Sequence, residues 1–119
     1  MKTKGLKVWI EISKSALEAN IKAIRGHLAP ETKLWAVVKS NAYGHGLFTF
    51  SPLAQEYGVA GFCVDSVIEG ATLRRHGITK PILSLGPTLS PLCWRDPSAR
   101  KKRSNIRVLT ASGMGTPGL

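Results

Sequence analysis

The sequence predicts an α/β fold: about three βα units forming an open arc of a TIM-type (β/α) barrel, preceded by one β-strand and followed by an irregular basic tail. Three observations carry this expectation. Short apolar runs at 34–38, 61–64 and 82–85 read as strands of the kind a parallel sheet buries on both faces. Segments with helical character lie between them, an alternation that builds βαβ units. The first run also stops abruptly at Lys39 and gives way to a polar, glycine-bearing loop, which puts a lysine at the carboxyl end of a buried strand. Barrels of this type keep their chemistry there.

In chain order, Val8-Trp9-Ile10-Glu11-Ile12 alternates and is rich in β-formers, so it is expected to be a strand. Ser13 or Ser15 caps the helix that follows, and Ser15 with Glu18 fits a capping box. Leu17, Ile21, Ile24 and Leu28 give that helix one apolar stripe, and Pro30 ends it. After the strand at 34–38, residues 40–46 contain Asn41, Gly44 and Gly46, all turn formers. A helix from about Ser51 to Tyr57, with Pro52 in its first turn, leads to Gly58 and the strand at 61–64. Asp65 or Ser66 caps the next helix, which runs through Arg75 and ends at Gly77. The strand at 82–85 closes the third unit.

Beyond Thr88 the character changes. Residues 89–97 have no sustained period, Arg100-Lys101-Lys102-Arg103 is a bare basic run, and 112–118 is low in apolar content. A short strand at 106–109 is the one regular feature expected there. The chain therefore divides into a barrel-like part, 1–88, and a basic tail, 89–119, read as replaced or out-of-frame sequence.

At 119 residues the chain is shorter than the roughly 250 that a complete eight-unit barrel takes. No apolar run is long enough to span a bilayer, and no signal-peptide core follows the basic start, so a cytoplasmic, reduced setting is expected. Cys63 and Cys93 make neither a metal spacing nor a disulfide framework. The net charge of +10 first suggests nucleic acid. However, residues 1–88 carry eleven Lys and Arg against six Asp and Glu, whereas 89–119 carry six against one. The excess is concentrated in the tail, where four charges without interleaved aromatics read as a solvated run.

The stretch Ala36-Val37-Val38-Lys39-Ser40-Asn41-Ala42-Tyr43-Gly44-His45-Gly46 closely resembles the pyridoxal-phosphate signature of alanine racemases. Trp9-Ile10-Glu11-Ile12, Ala16-Leu17-x-x-Asn20, Glu69-Gly70-x-x-Leu73-Arg74-x-x-Gly77-Ile78 and Pro81-Ile82-Leu83-x-Leu85-Gly86 extend the likeness over about residues 8–88. The resemblance implies a pyridoxal 5'-phosphate-dependent isomerase acting on alanine, homodimeric in the family, represented here by its N-terminal barrel portion. It makes Lys39 both the cofactor-bearing lysine and one of two acid/base groups, and Tyr43 a ligand of the cofactor phosphate. The family's second base is a tyrosine from the β-rich domain of the other subunit. The arginine facing the pyridine nitrogen lies in later barrel units. This chain has no segment resembling either.

The residues alone allow blander readings. Lys39 could simply end a strand, and Tyr43 could pack on a barrel rim. Asn41 reads as a turn or capping residue, and His45 as an imidazole bonded within its own loop. Glu69 and Arg74 read as a surface pair, and His27 and His76 as helix-end residues. Ser84, in a buried strand, needs a partner for its hydroxyl. Two alternative functions compete: a non-catalytic pyridoxal-phosphate-binding barrel protein, and a nucleic-acid binder acting through the tail. A product without function is the third reading.

Overall fold

The computed structural model describes residue 5, residues 7–86 and the backbone of 106–108. Four helical segments and four strands follow one another as α1 (Lys14–Gly26), β1 (Trp35–Val37), α2 (Lys39–Tyr43), α3 (Leu47–Glu56), β2 (Gly61–Val64), α4 (Val67–Arg75), β3 (Ile82–Ser84) and β4 (Ile106–Val108). The strands form one sheet in the order β1-β2-β3-β4, and every pair is parallel. Parallel neighbours in sequence order are what successive βα units produce, because each strand must be returned to the same end by a crossover.

The register sets the two faces. Trp35 pairs with Gly61, Ala36 with Phe62 and Val37 with Cys63, while Ile82 pairs with Phe62, Leu83 with Cys63 and Ser84 with Val64. Directly paired residues point to the same side. Phe62, Val64 and Ile82 accordingly join Val38, Ile21, Leu47, Ala54, Val59, Leu73 and Ile78 in one apolar cluster between sheet and helices. The opposite face carries Trp35, Val37, Cys63 and Leu83 and is partly open, with Val37 43% exposed. The expectation that the first strand is buried on both faces is therefore corrected: Trp35 and Ala36 are only half-buried and Val37 is exposed.

The helices dock through specific ends. Ser13, rather than Ser15, caps α1 by accepting the Ala16 amide at 3.3 Å, while Glu18 pairs with Lys22 at 2.7 Å. The apolar stripe of α1 is narrower than expected, since Ile21 is buried but Ile24 is exposed. The Arg25 guanidinium of α1 donates to the Gly58 carbonyl. Helix α3 begins four residues before the predicted start. Its Pro52 lies on the exposed side, where it forfeits one intrahelical bond, the one to the Phe48 carbonyl. Gln55 of α3 accepts the Thr79 and Lys80 amides at 2.8 and 3.3 Å, tying the helix to the loop before β3. Ser66, one of the two predicted caps, accepts the Glu69 amide at 3.2 Å.

The predicted strand at 8–12 is absent. Those residues are described but unpaired, with Val8 84% exposed and the Trp9 indole donating to Glu11 at 2.9 Å. Alternation makes a strand only where a partner offers its backbone groups, and among the described residues none does. The strand expected at 106–109 is β4, which pairs Ile82 with Ile106 and Ser84 with Val108. The remaining tail readings, including the basic run at 100–103, lie outside the described residues. No described helix is long and apolar enough to cross a membrane.

Candidate active site at the carboxyl end of the sheet

Lys39 directly follows Val38, which is fully buried in the core and donates its amide to the Cys63 carbonyl at 2.9 Å. Lys39 is the first residue of α2, past the end of β1, and is half-buried. Immediately after it the backbone leaves ordinary territory. Ser40, Asn41, Ala42 and Tyr43 have φ of 52°, 56°, 54° and 53°, a run of four side-chain-bearing residues in the left-handed region. So α2 is a left-handed turn where the sequence predicts only a loop. Each such residue costs about 1–2 kcal/mol, less for asparagine, so the turn must be held by its surroundings.

The restraints are visible. The Ala42 amide donates to the Val38 carbonyl at 2.9 Å, and the Gly46 amide to the Asn41 carbonyl at 3.0 Å. Asn41 Oδ1 accepts the Leu47 amide at 2.7 Å, joining the turn to the start of α3. Asn41 is thus a turn and capping residue, as its chemistry suggested. His45 Nδ1 lies 2.9 Å from the Ala42 carbonyl. A carbonyl only accepts, so this bond needs the proton on Nδ1. Gly44 and Gly46, at φ of 88° and 92°, continue the positive-φ path that other residues resist. Tyr43 closes the turn with 60% of its surface exposed.

Two residues set aside as a surface pair do different work. The Glu69 carboxylate accepts the Ser40 amide at 2.9 Å and the Asp65 amide at 2.8 Å. The Arg74 guanidinium donates to the Ile78 and Lys80 carbonyls at 2.8 and 2.6 Å, and burial pushes its pKa down. Glu69 could not be singled out from sequence, because its partner lies 29 positions away. His27 and His76 do stand at the C-caps of α1 and α4, and the His76 ring also stacks on Phe48 at 3.7 Å between centroids. Cys63, only 8% exposed, has its thiol pKa raised by burial.

A parallel sheet whose first strand ends in a half-buried lysine and a left-handed turn can be compared with known proteins. Residues 12–97 match the family model described as alanine racemase, N-terminal domain. The chain belongs to the alanine racemase family. It is 48% identical over 81 residues to alanine racemase 2 of Bacillus subtilis, an alignment covering 68% of this chain and 21% of that protein. The crystal structure of alanine racemase from Bacillus anthracis with bound L-Ala-P superposes with a TM-score of 0.70 at 34% identity, covering 84% of this chain and 25% of that one. A histidine racemase from Leuconostoc mesenteroides superposes at 0.60 with 35% identity, covering 65% of this chain and 20% of that one. The chain thus spans about a fifth of the length of the curated alanine racemases it matches.

Proposed function

We propose that this chain carries the cofactor-holding end of a pyridoxal 5'-phosphate-dependent amino-acid racemase, with Lys39 as the lysine that binds the cofactor and Tyr43 as a ligand of its phosphate. Lys39's placement supports this most: a half-buried lysine at the carboxyl end of a parallel strand, followed by a left-handed turn. The cofactor needs a primary amine for its aldehyde, a hydroxyl donor for its phosphate and an apolar surface for its ring. Lys39, Tyr43 and the face made by Val37, Cys63 and Leu83 are of those three kinds. When bound, it supplies the electron sink that makes loss of an amino acid's α-proton feasible.

Lys39 has two tasks in this reading. Its amine holds the cofactor and, once displaced by substrate, moves a proton at the substrate Cα on one face. Racemisation needs a second proton-handling group on the other face. By the resemblance, that group is a tyrosine in a part of the relatives that this chain does not match. The substrate we assign is alanine, in a cytoplasmic homodimeric assembly, and β1 to β3 are read as an arc of a TIM-type barrel from 1–88, to which β4 adds a parallel strand from within 89–119.

The test is cofactor retention. Purified chain mixed with pyridoxal phosphate and passed through a desalting column should keep it stoichiometrically, Tyr43→Phe should keep less, and Lys39→Ala none. Equal retention by wild type and Lys39→Ala would contradict the assignment. Alone, the chain should turn over L-alanine little or not at all, because an open sheet leaves the site uncovered.

A further inference from the structure

The Glu69 carboxylate joins the ends of two neighbouring strands. One oxygen accepts the amide of Ser40, the residue after Lys39 and the first in the left-handed region. The other accepts the amide of Asp65, the residue after β2. At the third position of α4, with Ser66 accepting its own amide, Glu69 has half of a capping box. Its side chain, however, reaches across to the lysine's turn. We infer that Glu69 is the positioning residue for Lys39: its carboxylate clamps the left-handed turn to the β2–α4 junction and so fixes the backbone that carries Lys39 at the carboxyl end of β1.

The chemistry favours a carboxylate here. Here the two backbone amides reach different oxygens of the side chain, and an ionised acceptor makes the stronger bonds. A glutamine would turn its NH2, a donor, toward one of these two amides, so it loses one of the two bonds in the arrangement seen here. The start of α4 favours the negative charge. Without the clamp, the turn loses a bond to its first strained residue, and residues 40–43 can relax toward the right-handed region. Lys39 sits at the hinge of that relaxation. This inference rests on the cofactor reading only for what Lys39 does, while the clamp itself can be measured without cofactor.

The experiment compares wild type, Glu69→Gln, Glu69→Ala and Ser66→Ala in the full chain. Amide hydrogen exchange is followed at Ser40, Gly44, Gly46 and Phe62, and borohydride trapping of pyridoxal phosphate gives the share of label on Lys39. Glu69→Ala should speed Ser40 exchange about tenfold or more, the loss expected for a bond to a charged acceptor. Gly44 and Gly46 should follow while Phe62 does not, and label should move from Lys39 to exposed lysines such as Lys14 and Lys33. Glu69→Gln should fall between. Ser66→Ala, which removes the bond to the Glu69 amide but neither bond of its carboxylate, should leave Ser40 exchange and the Lys39 share unchanged. Should Glu69→Ala also free Phe62, the molecule has opened globally and the Gln variant decides. Unchanged Ser40 exchange would overturn the clamp, and freed Ser40 with an unchanged Lys39 share would overturn its positioning role. Absence of Lys39 label in wild type would count against the cofactor reading instead, with the clamp then judged on exchange alone.

Discussion

The indole of Trp35 lies so close to the Gly61 backbone that a Cβ on residue 61 would sit 2.6–2.7 Å from its ring carbons. The two residues are direct cross-strand partners, so the glycine makes room for the tryptophan at the start of the open face. Gly61→Ala should therefore destabilise the chain by about 1–3 kcal/mol, the range for overpacking a filled site. Pairing it with Trp35→Leu should recover most of the loss, as contacting sites are not additive. Urea unfolding of the four chains of that cycle is the measurement. Strict additivity would mean that the indole yields freely.

The Ser84 hydroxyl is buried at the end of β3 with no hydrogen-bond partner among the described residues. Its neighbours across the sheet are Val64 and, on the other side, Val108. An unmet buried hydroxyl costs about 1–3 kcal/mol. Ser84→Ala should raise stability by about 1 kcal/mol, read as a higher urea midpoint. A loss of that size would show that the hydroxyl is satisfied after all.

Asn41 serves the turn in two ways, tolerating φ of 56° and capping Leu47 through Oδ1. The two roles separate by substitution. Asn41→Gly keeps the conformational ease and loses the cap, whereas Asn41→Ala loses both. Thermal unfolding should place glycine roughly 1 kcal/mol above alanine, the left-handed penalty of one residue. Equal stabilities would mean the turn is not left-handed in solution.

Burial raises the Cys63 thiol, so the folded chain keeps this proton after the unfolded chain has lost it. That contribution is complete below the unfolded thiol's pKa of about 8.5 and is lost as pH rises from there through the higher folded value. Wild type should thus lose stability relative to Cys63→Ala between about pH 8 and 9.5, before tyrosine ionisation intervenes. Alkylation at neutral pH, followed on the Cys63 peptide, should be slower than for a free thiol. A flat difference between the two chains across that window would contradict the burial.

Several elements could be read from local chemistry. The run Gly61-Phe62-Cys63-Val64 is β2 residue for residue, and Ser66 is the cap of α4. Both depend on neighbours within a few positions. Residues 8–12 show the reverse case: alternation is present, but pairing depends on a partner that local sequence does not supply. The handedness of residues 40–43 was hidden for a similar reason. Only Asn41 among them favours positive φ, and it ties the turn to Leu47, while Ser40 and Ala42 are held by bonds to Glu69 and Val38. Lys39 and Tyr43 were legible as a motif, while the residue that braces them was not.

Whether Lys39 is the amine that binds the cofactor is decided by borohydride reduction of the chain with pyridoxal phosphate, followed by peptide mapping. Stoichiometric label is expected on the peptide containing Lys39, with its loss in Lys39→Ala. Weak label spread over several lysines, unchanged by that substitution, would contradict it.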